Sequence, residues 1–202
     1  GRKRSGKDYT AQLLKQEIEN RQLSCEIMSF AEPMKFIISE TFGITQEQLE
    51  TYKNNTDEYG IEIKVYPNNQ PSGTIKYTDF RAVLQKFGTE AMKPMFDDDV
   101  WAELLYKRTN ESECDYILVP DFRFRVEHRP DTTTLKIRND EIEAQCTDQH
   151  PSETELDDFV FQNEIDNTGY RDISSDVKKF VDKLTDTKFG YFEYLEEYSS
   201  HF

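Results

Sequence analysis

The stretch Gly1-Arg2-Lys3-Arg4-Ser5-Gly6-Lys7-Asp8 sets a glycine, four spacers and then Gly-Lys, the spacing of a loop that cradles phosphate. In such a loop backbone N–H groups converge on phosphate oxygens, and the N-terminus of the following helix adds the positive end of its dipole. Gly1 and Gly6 permit the turn, and Lys7 reaches the distal phosphates. Asp8 stands where a Ser or Thr normally offers its hydroxyl to magnesium, and a carboxylate also suits that hard cation. Arg2, Lys3 and Arg4 add positive charge to the loop, which fits a strongly anionic ligand above it.

Working outward, Ala11, Leu13, Leu14 and Ile18 share one face of a predicted helix, and Cys25 to Phe30 reads as an apolar strand. Loop, helix and strand thus follow in the order that a phosphate loop requires. Such a loop is launched from a buried parallel strand, so a strand is expected ahead of Gly1. Pro33 suits the first turn of a helix that stops at Gly43, and Thr45 with Gln48 forms a capping box for the next. The segment from Tyr59 to Tyr77 reads as two short strands around a turn-rich loop, an inserted hairpin or flap. Thr78 is placed to cap a helix from Asp79 toward Phe87, and Asp97 or Asp98 one through Trp101 and Leu105. Strands are expected at Tyr116–Pro120, Thr133–Arg138 and Phe159–Gln162. The span from Asp121 to Thr132 is short for a parallel crossover. Asn139 to Pro151 reads as a polar loop or cover, with Ser152 and Glu155 capping the short helix after it. A helix over Asp172–Leu184 and an amphipathic helix over GYFEYLEEY (190–198) complete the pattern.

The 202 residues suffice for one α/β domain with a sizeable core. The net charge of −15 argues against nonspecific binding to a nucleic acid polymer. Most of it is local: seventeen acids face five bases from Asn139 onward, whereas the first seven residues hold four cations and no acid. Neither a membrane span nor a signal peptide is recognisable. Cys25, Cys114 and Cys146 have no metal-ligand spacing and His128, His150 and His201 form no ligand pair, so a reduced, zinc-free cytoplasmic protein is expected.

Beyond the loop, Arg81, Arg123, Arg125, Arg129 and Arg138 fall in or after elements expected to point toward one sheet edge. With Lys7 they fit two anionic substrates held face to face, as phosphoryl transfer requires. Asp121, ending a core strand, is placed to help hold magnesium or its waters. Phe30 and Trp101 read either as core residues or as surfaces on which a base stacks. No nucleophile-base arrangement is evident. An acceptor bearing a phosphate needs none, since phosphate monoesters, with a second pKa of about 6, are largely ionised at neutral pH.

Taken in order, GRKRSGKD, FAEPMK (30–35), RAVLQKFGTE (81–90) with DDDVWAELL, ILVPDFRFRVE (117–127) and the late HPSE resemble the deoxynucleoside monophosphate kinases of tailed bacteriophages, within the P-loop kinase superfamily. The resemblance implies a three-layer α/β fold, a parallel sheet flanked by helices, with an acceptor region over about 31–95 and a lid over about 138–152. It implies transfer of the γ-phosphate of ATP, with Mg2+, to a deoxynucleoside monophosphate in the host cytoplasm. By position, Gly1, Arg4, Ser5, Gly6 and Lys7 would hold the donor phosphates, and Asp8 would lie near magnesium. Lys35, Arg81, Gln85, Thr89 and Trp101 would face the acceptor. Asp121 and Arg123 would sit at the catalytic strand end, and Arg138 in the lid. Residues 51–77 and 128–132 match the family poorly. The partners implied are small molecules; a homodimer is compatible with the sequence. Two other readings stand beside this one: a P-loop kinase for another small phosphorylated acceptor, and a nucleotide-binding regulator without turnover.

Overall fold

The computed structural model describes residues 1–2, 4–54, 61–64, 74–77, 80–147 and 149–199, with side chains described outside 54–79 and 187–199. Lys3, the turn of the inserted hairpin, the proposed cap Thr78 and the expected helix start Asp79 lie outside these residues. So do the side chains of GYFEYLEEY.

The chain is α/β and divides into two compact units, one made of residues 1–28 and 111–202 and the other of residues 29–110. The first unit is built on two parallel strand pairs. Strand β1 (Cys25–Ile27) pairs with β4 (Tyr116–Leu118), Cys25 opposite Tyr116; β5 (Leu135–Arg138) pairs with β6 (Asn163–Asp166), Leu135 opposite Asn163. One continuous ladder is not formed among the described strands; side chains join the pairs instead. Cys25, Ile137 and Ile165 share an apolar cluster with Leu14 and Ile18 of helix α1 (Lys7–Glu19) and with Val177 and Val181 of helix α9 (Ser174–Ser199). Burying such a side chain is worth about 1.5–3 kcal/mol. Ile18, fully buried, is therefore a sensitive position. Ile18→Ala is expected to destabilise the unit by about 3 kcal/mol in urea unfolding, from lost transfer energy and the cavity left behind. At the rim Arg21 ties α1 to α9, donating to Asp182 at 2.7 Å and to Thr185 Oγ1 at 3.2 Å.

In the second unit, α2 (Glu32–Phe42) carries a proline in its first turn and ends on Gly43, whose φ of 63° is the left-handed cap expected of it. The capping box before α3 (Gln46–Asn54) forms: Gln48 N donates to Thr45 Oγ1 at 3.1 Å, and Thr45 N to Gln48 Oε1 at 2.8 Å. Strands β2 (Ile61–Lys64) and β3 (Thr74–Tyr77) pair antiparallel as a hairpin. The helix read as one element from Asp79 changes its hydrogen-bond spacing midway. Helix α4 (Phe80–Gln85) runs on as a π-helix over Lys86–Met92, then α5 (Lys93–Met95). Helix α6 (Val100–Glu111) follows. Ile38, Leu49, Phe80 and Leu84 hold α2, α3 and α4 together.

Several expected boundaries are corrected. The strand from Cys25 stops at Ile27, after which Met28 N makes one more bond to Leu118 O. Phe159–Gln162 is not a strand: Phe159 and Phe161 turn into an aromatic cluster with Phe122 and His128, while Val160 is 89% exposed. Strand β6 begins one residue later, its entry fixed by Gln162 and Thr134 bonding reciprocally. The polar segment after Arg138 contains a helix, α7 (Asp140–Gln145), too short to display periodicity and capped by Asn139. Helix α8 (Pro151–Thr154) is capped by His150, not Ser152, the ring nitrogen accepting from Ser152 N. Helix α9 starts at Ser174, not Asp172, whose Oδ1 accepts from Ser174 N and Ser174 Oγ just ahead of it.

Candidate functional site

The segment of residues 1–7, expected from sequence to cradle phosphate, closes on its own lysine. The Lys7 ammonium donates to Gly1 O and to Arg2 O, each at 2.7 Å, so the loop wraps the cation it would present to a ligand. Gly6 adopts φ 95°, a conformation that favours glycine, and a Cβ there would come within 2.3 Å of Asn167 Nδ2. A Cβ on Gly1 would meet Ile137 O at 1.9 Å, so the loop starts hard against β5. Arg4, exposed, is also in a positive-φ conformation at 65°.

Two residues missed by sequence reasoning hold this loop from outside. Asn167 Nδ2 donates to Ser5 O and Tyr170 Oη donates to Arg4 O, both at 2.9 Å. Asn167 is itself fixed: its carbonyl accepts from Asn139 Nδ2 at 2.8 Å and its N–H donates to Arg138 O at 2.7 Å. No local pattern announces these contacts, because they join residues some 160 positions apart in sequence. Within the frame the Ser5 hydroxyl is fully buried and has no partner among the described residues. An unsatisfied buried hydroxyl costs roughly 1–3 kcal/mol, and a phosphate oxygen is the kind of acceptor that would remove the cost.

Electrostatics single out the same place. Burial, and next the Arg123 guanidinium, lower the Lys7 pKa to about 8, while Glu153, Asp8 and Asp121 pull it back upward. Arg123, Asp8 and Asp121, all predicted from sequence, are thus each within electrostatic reach of Lys7. Asp8 sits exposed in the first turn of α1, and Asp121 follows β4. Arg123 is anchored at both ends: its N–H donates to Glu127 Oε2 at 2.7 Å, and its guanidinium to Ser152 O at 3.0 Å and to Glu153. A cavity of about 320 Å3 opens between Gly1, Arg2, Arg123, Lys136 and Glu153. A second, of about 440 Å3, is lined by Gly6, Tyr9, Asn167, Tyr170 and Arg171.

Arg138 ends β5 and faces three carboxylates, Asp140, Glu164 at 2.9 Å and Asp166 at 3.0 Å; hydrogen bonds to Asp140 and Glu164, with the negative charges of Asp140 and Asp166, push its pKa upward. Its guanidinium therefore serves local neutralisation at the strand ends.

The candidates for the acceptor belong to the second unit. Lys35 pairs with Glu50 at 2.7 Å, and Lys53 pairs with the same carboxylate. Burial acts to raise the Glu50 pKa, but hydrogen bonds from Lys35 and Lys53 outweigh it and hold the carboxyl below its ordinary value. Desolvation holds the Lys53 ammonium low, and the nearby Lys35 and Arg81 add to this. Lys35 and Arg81 are thus brought toward one cationic corner of α2, α3 and α4. Gln85 closes α4, and Thr89 lies in the π-helix, an irregularity frequent at functional sites. Trp101 is buried and donates its indole N–H to Gly88 O at 3.0 Å, locking the π-turn. Phe30 is buried edge-on to Tyr106.

Among the described residues no group of three or more His, Cys, Asp or Glu could hold a metal ion by itself. The three cysteines are free thiols. No described helix is long and apolar enough to cross a membrane. Compared with protein-family models the chain matches none, and a search of curated proteins finds no match to it.

Proposed function

We propose that this protein is a P-loop kinase that transfers the γ-phosphate of ATP to a deoxynucleoside monophosphate. The observation that carries the reading is the loop of residues 1–7 closed on a desolvated Lys7 ammonium, with the Arg123 guanidinium within its electrostatic reach. Two cations forced together in a partly buried site repel, and an anion bridging them relieves that repulsion. The orphaned Ser5 hydroxyl and the left-handed turn at Gly6 support the same ligand.

In the proposed reaction an oxygen of the acceptor's phosphate forms a bond to the γ-phosphorus. The bond from that phosphorus to the β–γ bridging oxygen breaks, and its electron pair leaves with ADP. The acceptor oxygen is already ionised, so the protein's work is positioning and charge stabilisation. Lys7 and Arg123 face the charge that spreads over the transferring group. The cavity between Tyr9, Asn167 and Tyr170 suits the donor's nucleoside, beside the loop that takes its phosphates. Asp8 and Asp121 fit magnesium, which takes one or two carboxylates together with substrate phosphates; when bound it would neutralise charge on the β- and γ-oxygens.

The deciding experiment incubates the protein with Mg-ATP and each deoxynucleoside monophosphate in turn and follows ADP release. Release above background with at least one acceptor is expected, and none with any of them ends the reading. In the unliganded protein Lys7 loses its proton near pH 8, so kcat/KM is expected to fall above that pH. Stability moves oppositely. The folded-state pKa lies below the unfolded value, so the unfolded chain binds the extra proton and the Lys7 contribution to stability rises as pH goes from about 8 toward 10.5. Rate and urea midpoint followed over this window test both signs, and Lys7→Met should remove its contribution to each.

A further inference from the structure

The HPSE segment, His150 to Glu153, has no part in the mechanism above, yet each of its residues bears on Arg123. His150 caps α8 by accepting from Ser152 N, and Pro151 occupies the first turn. The short helix turned in this way presents two acceptors to one guanidinium nitrogen, Ser152 O at 3.0 Å and the Glu153 carboxylate. The Glu153 side chain is only 2% exposed, whereas that of Arg123 is 26% exposed and lines the 320 Å3 cavity with Gly1 and Arg2. A carboxylate so buried is expensive to keep charged unless it is paired and hydrogen-bonded. From the opposite side Glu127, also buried, accepts from Arg123 N at 2.7 Å and from Phe124 N at 3.0 Å, fixing the backbone from which the side chain departs.

We propose that Glu153 is a positioning residue, which fixes the Arg123 guanidinium toward the phosphate loop so that it meets the transferring phosphoryl group without reorganisation. The proposal rests on the kinase reading of the loop. A long, flexible arginine left free must be ordered during each turnover, whereas one held from both ends is ordered beforehand.

Glu153→Gln keeps the volume and removes the charge. Its kcat is expected to fall about 100-fold, with KM for ATP changed less than about threefold, as when a group acting in the transition state is misplaced. Arg123→Ala should lose at least as much, and also melt lower, because it strands a buried carboxylate. In Arg123→Ala with Glu153→Gln the melting temperature should recover toward wild type while kcat stays at the Arg123→Ala level. A purely structural role would restore both together. Calorimetry with ADP plus aluminium fluoride reads positioning without turnover: Glu153→Gln should bind the pair at least about tenfold more weakly than wild type, and ADP alone equally well. Wild-type kcat in Glu153→Gln, multiplied losses in the double variant, or unchanged affinity for ADP with aluminium fluoride would each overturn the proposal. Wild-type protein that releases no ADP ends the kinase reading instead, and the calorimetric comparison then decides the role of Glu153 alone.

Discussion

Lys7→Met is expected to fold but, on the proposed kinase reading, to lose phosphoryl transfer by about a thousandfold, the scale seen when one preorganised donor is taken from developing negative charge. Methionine keeps the length of the side chain and drops the ammonium, so Gly1 O and Arg2 O lose their donor while helix α1 keeps its buried face of Ala11, Leu14 and Ile18. Removing a desolvated cation near Arg123 also removes repulsion. The melting temperature should therefore stay within about 3 °C of wild type. A variant that releases ADP as fast as wild type would refute the role given to Lys7. Unfolding of the variant would instead show that the two carbonyl bonds hold the loop.

Gly6→Ala strikes the backbone of the same loop. At φ 95° an L side chain is strained, and the added methyl would sit 2.3 Å from Asn167 Nδ2, the donor to Ser5 O. Neither atom can give way cheaply, because Asn167 is 2% exposed and bonded through its own carbonyl and N–H. Backbone strain and a buried carbonyl stripped of its donor together cost about 3 kcal/mol. Urea unfolding should show this loss, and calorimetry should show ATP binding weakened by about 100-fold, since the N–H groups facing the phosphates are displaced. Unaltered ATP affinity would mean that residues 1–7 do not hold the nucleotide.

What was legible in the sequence was local. Pro33 with Gly43, Thr45 with Gln48, and the apolar face of α1 each act within a turn or two of chain, where residue chemistry alone dictates the conformation. Asn167, Tyr170 and Glu153 were not legible as site residues. Their partners lie 162, 166 and 30 positions away, and nothing in N-T-G-Y or P-S-E announces such contacts. The strand expected at Phe159–Gln162 shows the complementary failure: the apolar run Phe159-Val160-Phe161 is real, but its rings pack on Phe122 and His128 instead of entering a ladder. Arg138 is expected with the other arginines to point toward one sheet edge; its three acidic neighbours, Asp140, Glu164 and Asp166, are not announced by its place at the end of a strand.

The parallel pairing of Cys25 with Tyr116 also governs the order in which the chain assembles. Residues 29–110 lie wholly between these two strands, so the first unit cannot close β1 against β4 until the intervening segment has been made and its ends drawn together. Loop-closure entropy falls if that segment has already condensed around Ile38, Leu49 and Phe80. On the ribosome the inserted unit is therefore expected to fold first and the loop of residues 1–7 to be seated last, when Asn167 and Tyr170 emerge.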